Sequence, residues 1–341
     1  MSMPRILAVG TANPPNRFTQ AEALALAGYT DERRRGFFLN SGIEGRYLAI
    51  DKDRFRSTES LDDLNARFRK ASTDLGCRAL LNALAQSGRT PRDLDFLATT
   101  TCTGRLCPSL DAILIHELGL RNDIQRVHVG DTGCASAIVA LQQVHNHLRA
   151  FPDHLAAVVA VEVSSASYYL DDDLETAVAN AIFADGAGAL ILDCRGAGPE
   201  VVAHRTLLRS EYLELMGFTF PGGYQRILLS KDIRHIAADM LSELTDQLLS
   251  ASGLTKADVR HWILHSAGRR VLERAERQLN LPNDALTAAR AVLRRYGNMS
   301  SATVLFVLKE FLDSTAPQPG DWGVMAALGP GFAAEGALLR W

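Results

Sequence analysis

The stretch "GCASAIVAL" (133–141) stands 165 residues before "NMSSATVLF" (298–306), and at that spacing Ser136 meets Ser301, Ala137 meets Ala302 and Val139 meets Val304. The same spacing lays "LAQSGRTPRDLDFLATTT" (84–101) on "LLSASGLTKADVRHWILHS" (248–266), so that Ser87, Gly88, Thr90 and Asp93 fall on Ser252, Gly253, Thr255 and Asp258. Two matches at one offset describe a unit used twice. Each copy reads as a helix, an S-G-x-T turn, a buried strand, an intervening segment and a helix that opens on small residues. Two similar halves pack about a pseudo-twofold axis, which brings equivalent positions near each other. The first helix opens on Gly133–Cys134 and the second on Asn298–Met299, while His265 ends a strand of the second half where the first has Thr100. The repeat therefore draws a thiol, an amide and an imidazole toward one point.

The surrounding sequence fits a large α/β protein. The chain has 341 residues, 47% of them hydrophobic, which is enough for one big core or two fused halves. The segments 95–101, 156–164, 188–193, 261–266 and 322–328 read as buried strands. Stretches 72–88, 136–150 and 301–314 carry apolar residues at helical spacing, and the alternation is an α/β pattern. Segments 31–63 and 205–226 are expected to be loops or short helices. The halves divide into 1–195, with the cysteine, and 196–341, with the histidine and asparagine. A net charge of −3 gives no electrostatic footprint for nucleic acid. No apolar run is long enough to cross a membrane, and the start has no apolar region followed by a small-residue cleavage site. Five irregularly spaced cysteines point to reduced thiols in a cytoplasm. Cys102 and Cys107 flank "TGRL" with no second Cys or His pair nearby, so no metal site is expected there.

A thiol at a helix mouth has two readings. It is a small core residue, or it is a nucleophile whose thiolate is stabilised by free backbone N–H groups and the helix dipole, and by an imidazolium if one is near. In the second reading Cys134 attacks a thioester and forms an acyl-enzyme. His265 serves as base or donor. Asn298 offers a neutral N–H₂ to a developing oxyanion or enolate without taking its proton. "NMS" (298–300) also matches a glycosylation pattern, which the apolar surroundings and the missing leader set aside. "GPGFAAEG" (329–336) lacks the spacing of a dinucleotide-binding loop and reads as a tight turn near the site.

Beyond these three residues, "AVGTANPPN" (8–16), "GDTGCASA" (130–137), "NAIFADGAGALIL" (180–192), "WILHSAG" (262–268), "RYGNMSSATVLFVLKE" (295–310) and "LGPGF" (328–332) occur in a familiar order. The chain resembles the type III polyketide synthases, the chalcone synthase family, over nearly its whole length. The resemblance implies the duplicated thiolase fold with five layers, αβαβα. It places Cys134 at the acyl-accepting nucleophile, His265 at the catalytic histidine and Asn298 at the asparagine of the G-N-M-S-S motif. It places Phe183 at a gatekeeper between tunnel and cavity, and Ser300, Thr103 and Ser167 at cavity-lining positions. The implied reaction loads an acyl-CoA starter on Cys134, decarboxylates malonyl-CoA, joins the two by Claisen condensation and cyclises the product to a pyrone or a phenolic ring. Coenzyme A thioesters are then substrates, no cofactor is bound permanently, and a homodimer is implied.

The chain also departs from that family. Ala135-Ser136-Ala137 stands where a glycine pair is common, and "HSAG" replaces H-P-G-G. Arg33, Arg34 and Arg35 are the candidates for coenzyme A phosphates, with Asn40 in place of one basic residue. A second gatekeeper aromatic is expected within 216–230, where Phe218, Phe220 and Tyr224 all qualify. Cys107 falls where plant members place a methionine that reaches across the dimer. The competing readings are a single-round ketoacyl synthase III-like enzyme, a thiolase-fold acyltransferase and a non-catalytic protein of the same fold.

Overall fold

The computed structural model describes residues 3–51, 59–167, 170–171, 173–230 and 232–341, without the side chains of 234 and 235. The first half supplies strands β1 (Arg5–Ala12), β2 (Arg17–Thr19), β3 (Gly45–Tyr47), β4 (Phe96–Thr101), β5 (Gln125–Gly130), β6 (Ala156–Val163) and β7 (Asp185–Asp193). Its helices are α1 (Gln20–Ala27), α2 (Glu32–Leu39), α3 (Leu61–Ser87), α4 (Leu110–Leu118), α5 (Ser136–Ala150) and α6 (Leu174–Ile182). The second half supplies β8 (Glu200–Leu208), β9 (Met216–Thr219), β10 (Arg226–Leu229), β11 (Val259–Leu264), β12 (Trp322–Gly329) and β13 (Ala333–Arg340). Its helices are α7 (Ile233–Ser250), α8 (Arg269–Gln278), α9 (Thr287–Tyr296) and α10 (Thr303–Ser314).

The strand order shows the duplication directly. From the middle outward, one half runs β1-β7-β6-β4-β5 and the other runs β8-β13-β12-β11. In both, the first two pairings are antiparallel and the third is parallel. A single pairing, Arg5 with Glu200, joins the halves through β1 and β8. Helix α3 covers β1, β7 and β6 on one outside, and α7 covers β13, β8 and β12 on the other. Helices α5 and α10 lie between, each touching strands of both halves. This is the five-layer αβαβα arrangement. The middle layer is mostly apolar: Ile138, Leu141, Val144, Val304, Leu305 and Leu308 are buried in one continuous core, with Ser136, His145 and Thr303 buried among them. Full burial of a side chain of this size stabilises by about 1.5–3 kcal/mol.

The repeated turn is reproduced bond for bond. Thr90 N–H donates to Asp93 Oδ2 at 2.7 Å, and Thr255 N–H donates to Asp258 Oδ2 at 2.8 Å. Each threonine and aspartate close a capping box. The register of the second match shifts, however. A single 3₁₀ turn, Gly133–Ala135, runs into α5, and a single 3₁₀ turn, Ser300–Ala302, runs into α10. These turns are 167 residues apart, so Cys134 corresponds to Ser301, and Gly133 corresponds to Ser300 rather than to Asn298. Both leading residues have positive φ, 56° at Gly133 and 46° at Ser300.

Other expectations need correction. Segment 205–226 is only partly loop and short helix, because β8 runs to Leu208 and β9 with part of β10 lies within it. Segment 31–63 holds α2, β3 and the start of α3, while its portion 52–58 lies outside the described residues. In "GPGFAAEG" the turn is confined to Pro330–Phe332, between Gly329 at the end of β12 and Ala333 at the start of β13.

Candidate active site

Cys134 lies at the mouth of α5 on a turn that only a glycine before it allows. A Cβ on Gly133 would stand 2.2 Å from Pro330 Cδ, and its φ is left-handed. The turn after β12 thus packs directly on the turn that carries Cys134. Cys134 is half-buried and its Sγ lies 3.3 Å from Ser300 Oγ. Ser300 Oγ is in turn 3.2 Å from the sulfur of the buried Cys102.

Asn298 is placed by backbone pairing on both sides of Phe183. Its N–H donates to Ile182 O at 2.9 Å, and its own carbonyl accepts from Ala184 N–H at 2.8 Å. Its side-chain oxygen accepts from Ser300 N–H at 2.8 Å, and its Nδ2 donates to Ala267 O at 3.2 Å. That leaves a second N–H on the amide. Ala267 lies two residues after His265, which follows β11 and is tied to β12 through its N–H to Ala326 O. Contacts therefore run from Cys134 through Ser300 and Asn298 to the segment of His265. Both ring nitrogens of His265 lack a hydrogen-bond partner among the described residues.

Burial controls the charges. It pushes the Cys134 thiol up to about 12, against a smaller downward pull from the Ser300 hydroxyl. It lowers the His265 imidazole to about 4. Burial thus opposes charge on both groups. Burial and the helix mouth therefore act in opposite directions on the Cys134 thiol.

Cys134, Phe183, Ser300, Thr103 and Ser167 all line one cavity, together with Cys102. His265 and Asn298 are buried outside its immediate lining. Of the three aromatic candidates in 216–230, Phe218 lines the cavity. Phe220 is exposed and lines a neighbouring cavity of ≈ 240 Å³ that shares Thr103 and Ser167 with the first. Tyr224 donates its hydroxyl to Glu59 O. Arg33, Arg34 and Arg35 sit on α2 and none lines the cavity. Arg34 is engaged by Asp31, whereas Arg33 and Arg35 are exposed.

Two residues beside the site were missed by the sequence reading. Glu162 is fully buried in β6 and accepts from Cys102 N–H at 3.1 Å, Thr103 Oγ1 at 2.8 Å and Ser301 Oγ. Desolvation raises its pKa despite those donors. A lone carboxylate inside "AAVVAVEVS" was the signal available. Cys102, whose thiol is also pushed well up by burial, is the second sulfur at the cavity wall.

The chain is similar to known proteins along nearly its whole length. Residues 216–341 match the chalcone and stilbene synthase C-terminal domain, and residues 55–206 match the FAE1/type III polyketide synthase-like family. The 3,5-dihydroxyphenylacetyl-CoA synthase of Amycolatopsis orientalis is 34% identical over 99% of this chain and 93% of its own length. The 1,3,6,8-tetrahydroxynaphthalene synthase of Streptomyces peucetius subsp. caesius is 34% identical over 98% of this chain and 93% of its own. The crystal structure of 1,3,6,8-tetrahydroxynaphthalene synthase from Streptomyces coelicolor A3(2), a bacterial type III polyketide synthase, superimposes with a TM-score of 0.92 over 99% of both chains, at 26% identity. With its doubled fold, its cysteine at the mouth of α5 and relatives matching along its full length, the chain belongs to the type III polyketide synthase family of acyl-transferring condensing enzymes.

Proposed function

We propose that the protein loads a short acyl group from a coenzyme A thioester onto Cys134 and extends it with malonyl-CoA, the product cyclising to a pyrone or a phenolic ring. The contact path from Cys134 through Ser300 and Asn298 to the His265 segment carries this reading. As the Cys134 sulfur attacks the thioester carbonyl, His265 takes its proton and returns it to the departing coenzyme A thiolate. Malonyl-CoA then binds with its thioester oxygen toward the free N–H of Asn298 and a donor nitrogen of His265. Loss of CO₂ leaves an enolate that these donors stabilise. The enolate carbon attacks the acyl-cysteine carbonyl, forming the new C–C bond and releasing the Cys134 sulfur.

Coenzyme A thioesters are substrates here, and no permanent cofactor enters the scheme. Arg33 and Arg35, exposed on α2, are the better candidates for coenzyme A phosphates, since Arg34 is held by Asp31. A homodimer is part of the proposal. Strand β5 is a sheet edge with largely uncovered residues, and a second copy would protect it. Cys107, exposed on the loop after β4, belongs to that proposed contact. Five free cysteines support a reducing compartment, the cytoplasm. No described helix is long and apolar enough to cross a membrane.

The test is incubation with malonyl-CoA, alone and with acyl-CoA starters, following CO₂ release and product mass. Pyrones or phenols support iterative extension. A single β-keto product, or acyl transfer without CO₂ release, instead assigns a once-only enzyme. No turnover with any starter defeats the reading.

A further inference from the structure

Among the described residues lining the cavity, Arg226 is the one side chain with a formal charge. It lies on β10, and the β9–β10 hairpin adds Met216, Phe218, Ile227 and Leu229 to the same lining. The hairpin is a separate two-stranded sheet, unconnected by strand pairing to the nine-stranded one. Two strands alone are marginally stable, so other contacts must hold this wall in place.

Those contacts converge on the start of α6. Arg226 Nη2 lies 2.8 Å from Asp171 Oδ2 and 2.8 Å from Asp173 Oδ2. Its Nε donates to Thr176 Oγ1 at 3.2 Å, and Leu229 N–H donates to Glu175 Oε2 at 3.1 Å. Asp173 is itself the N-cap of α6. Further along the same helix, Ala179 and Asn180 line the cavity, as does Phe183 at its C-terminus. Arg226 therefore ties one wall of the cavity to another. The space left between these walls is small and partly open: its volume is ≈ 60 Å³, where one water needs roughly 10–15 Å³.

Two carboxylates on one guanidinium leave no net positive charge to attract an anionic substrate. A mechanical role follows instead. We propose that Arg226 is a positioning residue that sets starter size: its clasp on Asp171, Asp173 and Thr176 holds β10 against α6 and keeps long acyl chains away from Cys134. This deepens the proposed function and rests on Cys134 being the acyl acceptor.

The experiment measures chain-length selectivity in two ways. Intact-protein mass spectrometry follows acylation by acetyl-, hexanoyl- and dodecanoyl-CoA. Peptide-level mass spectrometry follows Cys134 modification by methyl, hexyl and dodecyl methanethiosulfonate, each forming a mixed disulfide and releasing methanesulfinate. The second readout needs no enzymatic turnover. In the wild type both series fall steeply with length. In Arg226→Met, and independently in the Asp171→Asn/Asp173→Asn double variant, the long-to-short ratio rises by about tenfold or more, and Arg226→Lys restores part of the discrimination. An unchanged ratio in the methanethiosulfonate series, with or without a lower melting temperature, overturns the proposal. So does a wild type that accepts dodecyl and methyl reagents at similar rates. If that series behaves as described but no thioester acylates Cys134, the clasp stands as a determinant of cavity width, while its role in choosing starters and the proposed function both fall.

Discussion

The two helix mouths of the duplicated fold make a useful pair. Gly133-Cys134-Ala135 leads into α5 and Ser300-Ser301-Ala302 leads into α10, each as one 3₁₀ turn whose first residue has positive φ. The backbone device is the same and the side chains are used in opposite ways. Cys134 lines the cavity, whereas Ser301 turns away to donate to the buried Glu162. Ser300, at the position matching Gly133, has its hydroxyl between the sulfurs of Cys134 and Cys102. The duplicated fold holds two equivalent turns, one facing the cavity with its thiol and the other facing a buried carboxylate.

Substitutions can break that asymmetry at each point. The largest effect is expected for Cys134→Ala, which should lower turnover by about 10³-fold or more, measured as CO₂ release from malonyl-CoA. Asn298→Ala is next, with a loss of about 10²–10³ in decarboxylation and a smaller loss in starter loading. Equal losses in both steps would contradict the enolate role. Gly133→Ala forces a side chain into left-handed backbone against Pro330. A destabilisation of about 1–3 kcal/mol from the backbone alone should appear in urea unfolding, with the steric clash adding to it. Its counterpart Ser300→Gly relieves a positive φ and should change stability by about 1 kcal/mol or less. Ser301→Ala removes one donor from Glu162 and should cost about 1–3 kcal/mol.

The pH response sharpens the comparison without mutation. His265 must be neutral to accept the Cys134 proton, and its pKa lies near 4 rather than 6.5. The acid limb of starter loading should therefore fall near pH 4, and a limb at pH 6–7 would contradict the buried, unpaired imidazole. The sign for stability follows from the same shift. A folded-state pKa below the unfolded value means that stability contributed above pH 6.5 is lost as pH falls through the window from 6.5 to 4. His147, also lowered to about 4 by burial, adds to the same loss.

Much of this was legible in the sequence because the informative segments are buried on both faces. Strands β6 and β12 announce themselves as nearly continuous apolar runs, β4 and β11 through shorter apolar stretches, and the two S-G-x-T turns carry their capping residues in plain view. Strand β8 was not visible, because "EVVAHRTLL" is mostly half-covered or exposed and carries neither an apolar run nor clean alternation. The first eleven residues of α3 were missed since most of "LDDLNARFRKA" faces outward. At the site, residue types and spacing pointed to Cys134, His265 and Asn298. The two-residue register shift was hidden, because matching letters at 165 competed with matching backbone at 167. The cost of ionising Cys134 was also hidden, since desolvation is a property of the packed cavity and not of the helix mouth alone.

The most direct test of the central claim is the site of the acyl adduct. The enzyme is mixed with acetyl-CoA or malonyl-CoA, quenched in acid, digested and mapped by mass spectrometry. The account predicts one thioester, on Cys134, absent in Cys134→Ala and still formed in Ser301→Ala. An adduct on Cys102 instead of Cys134, or undiminished product formation by Cys134→Ala, would contradict it.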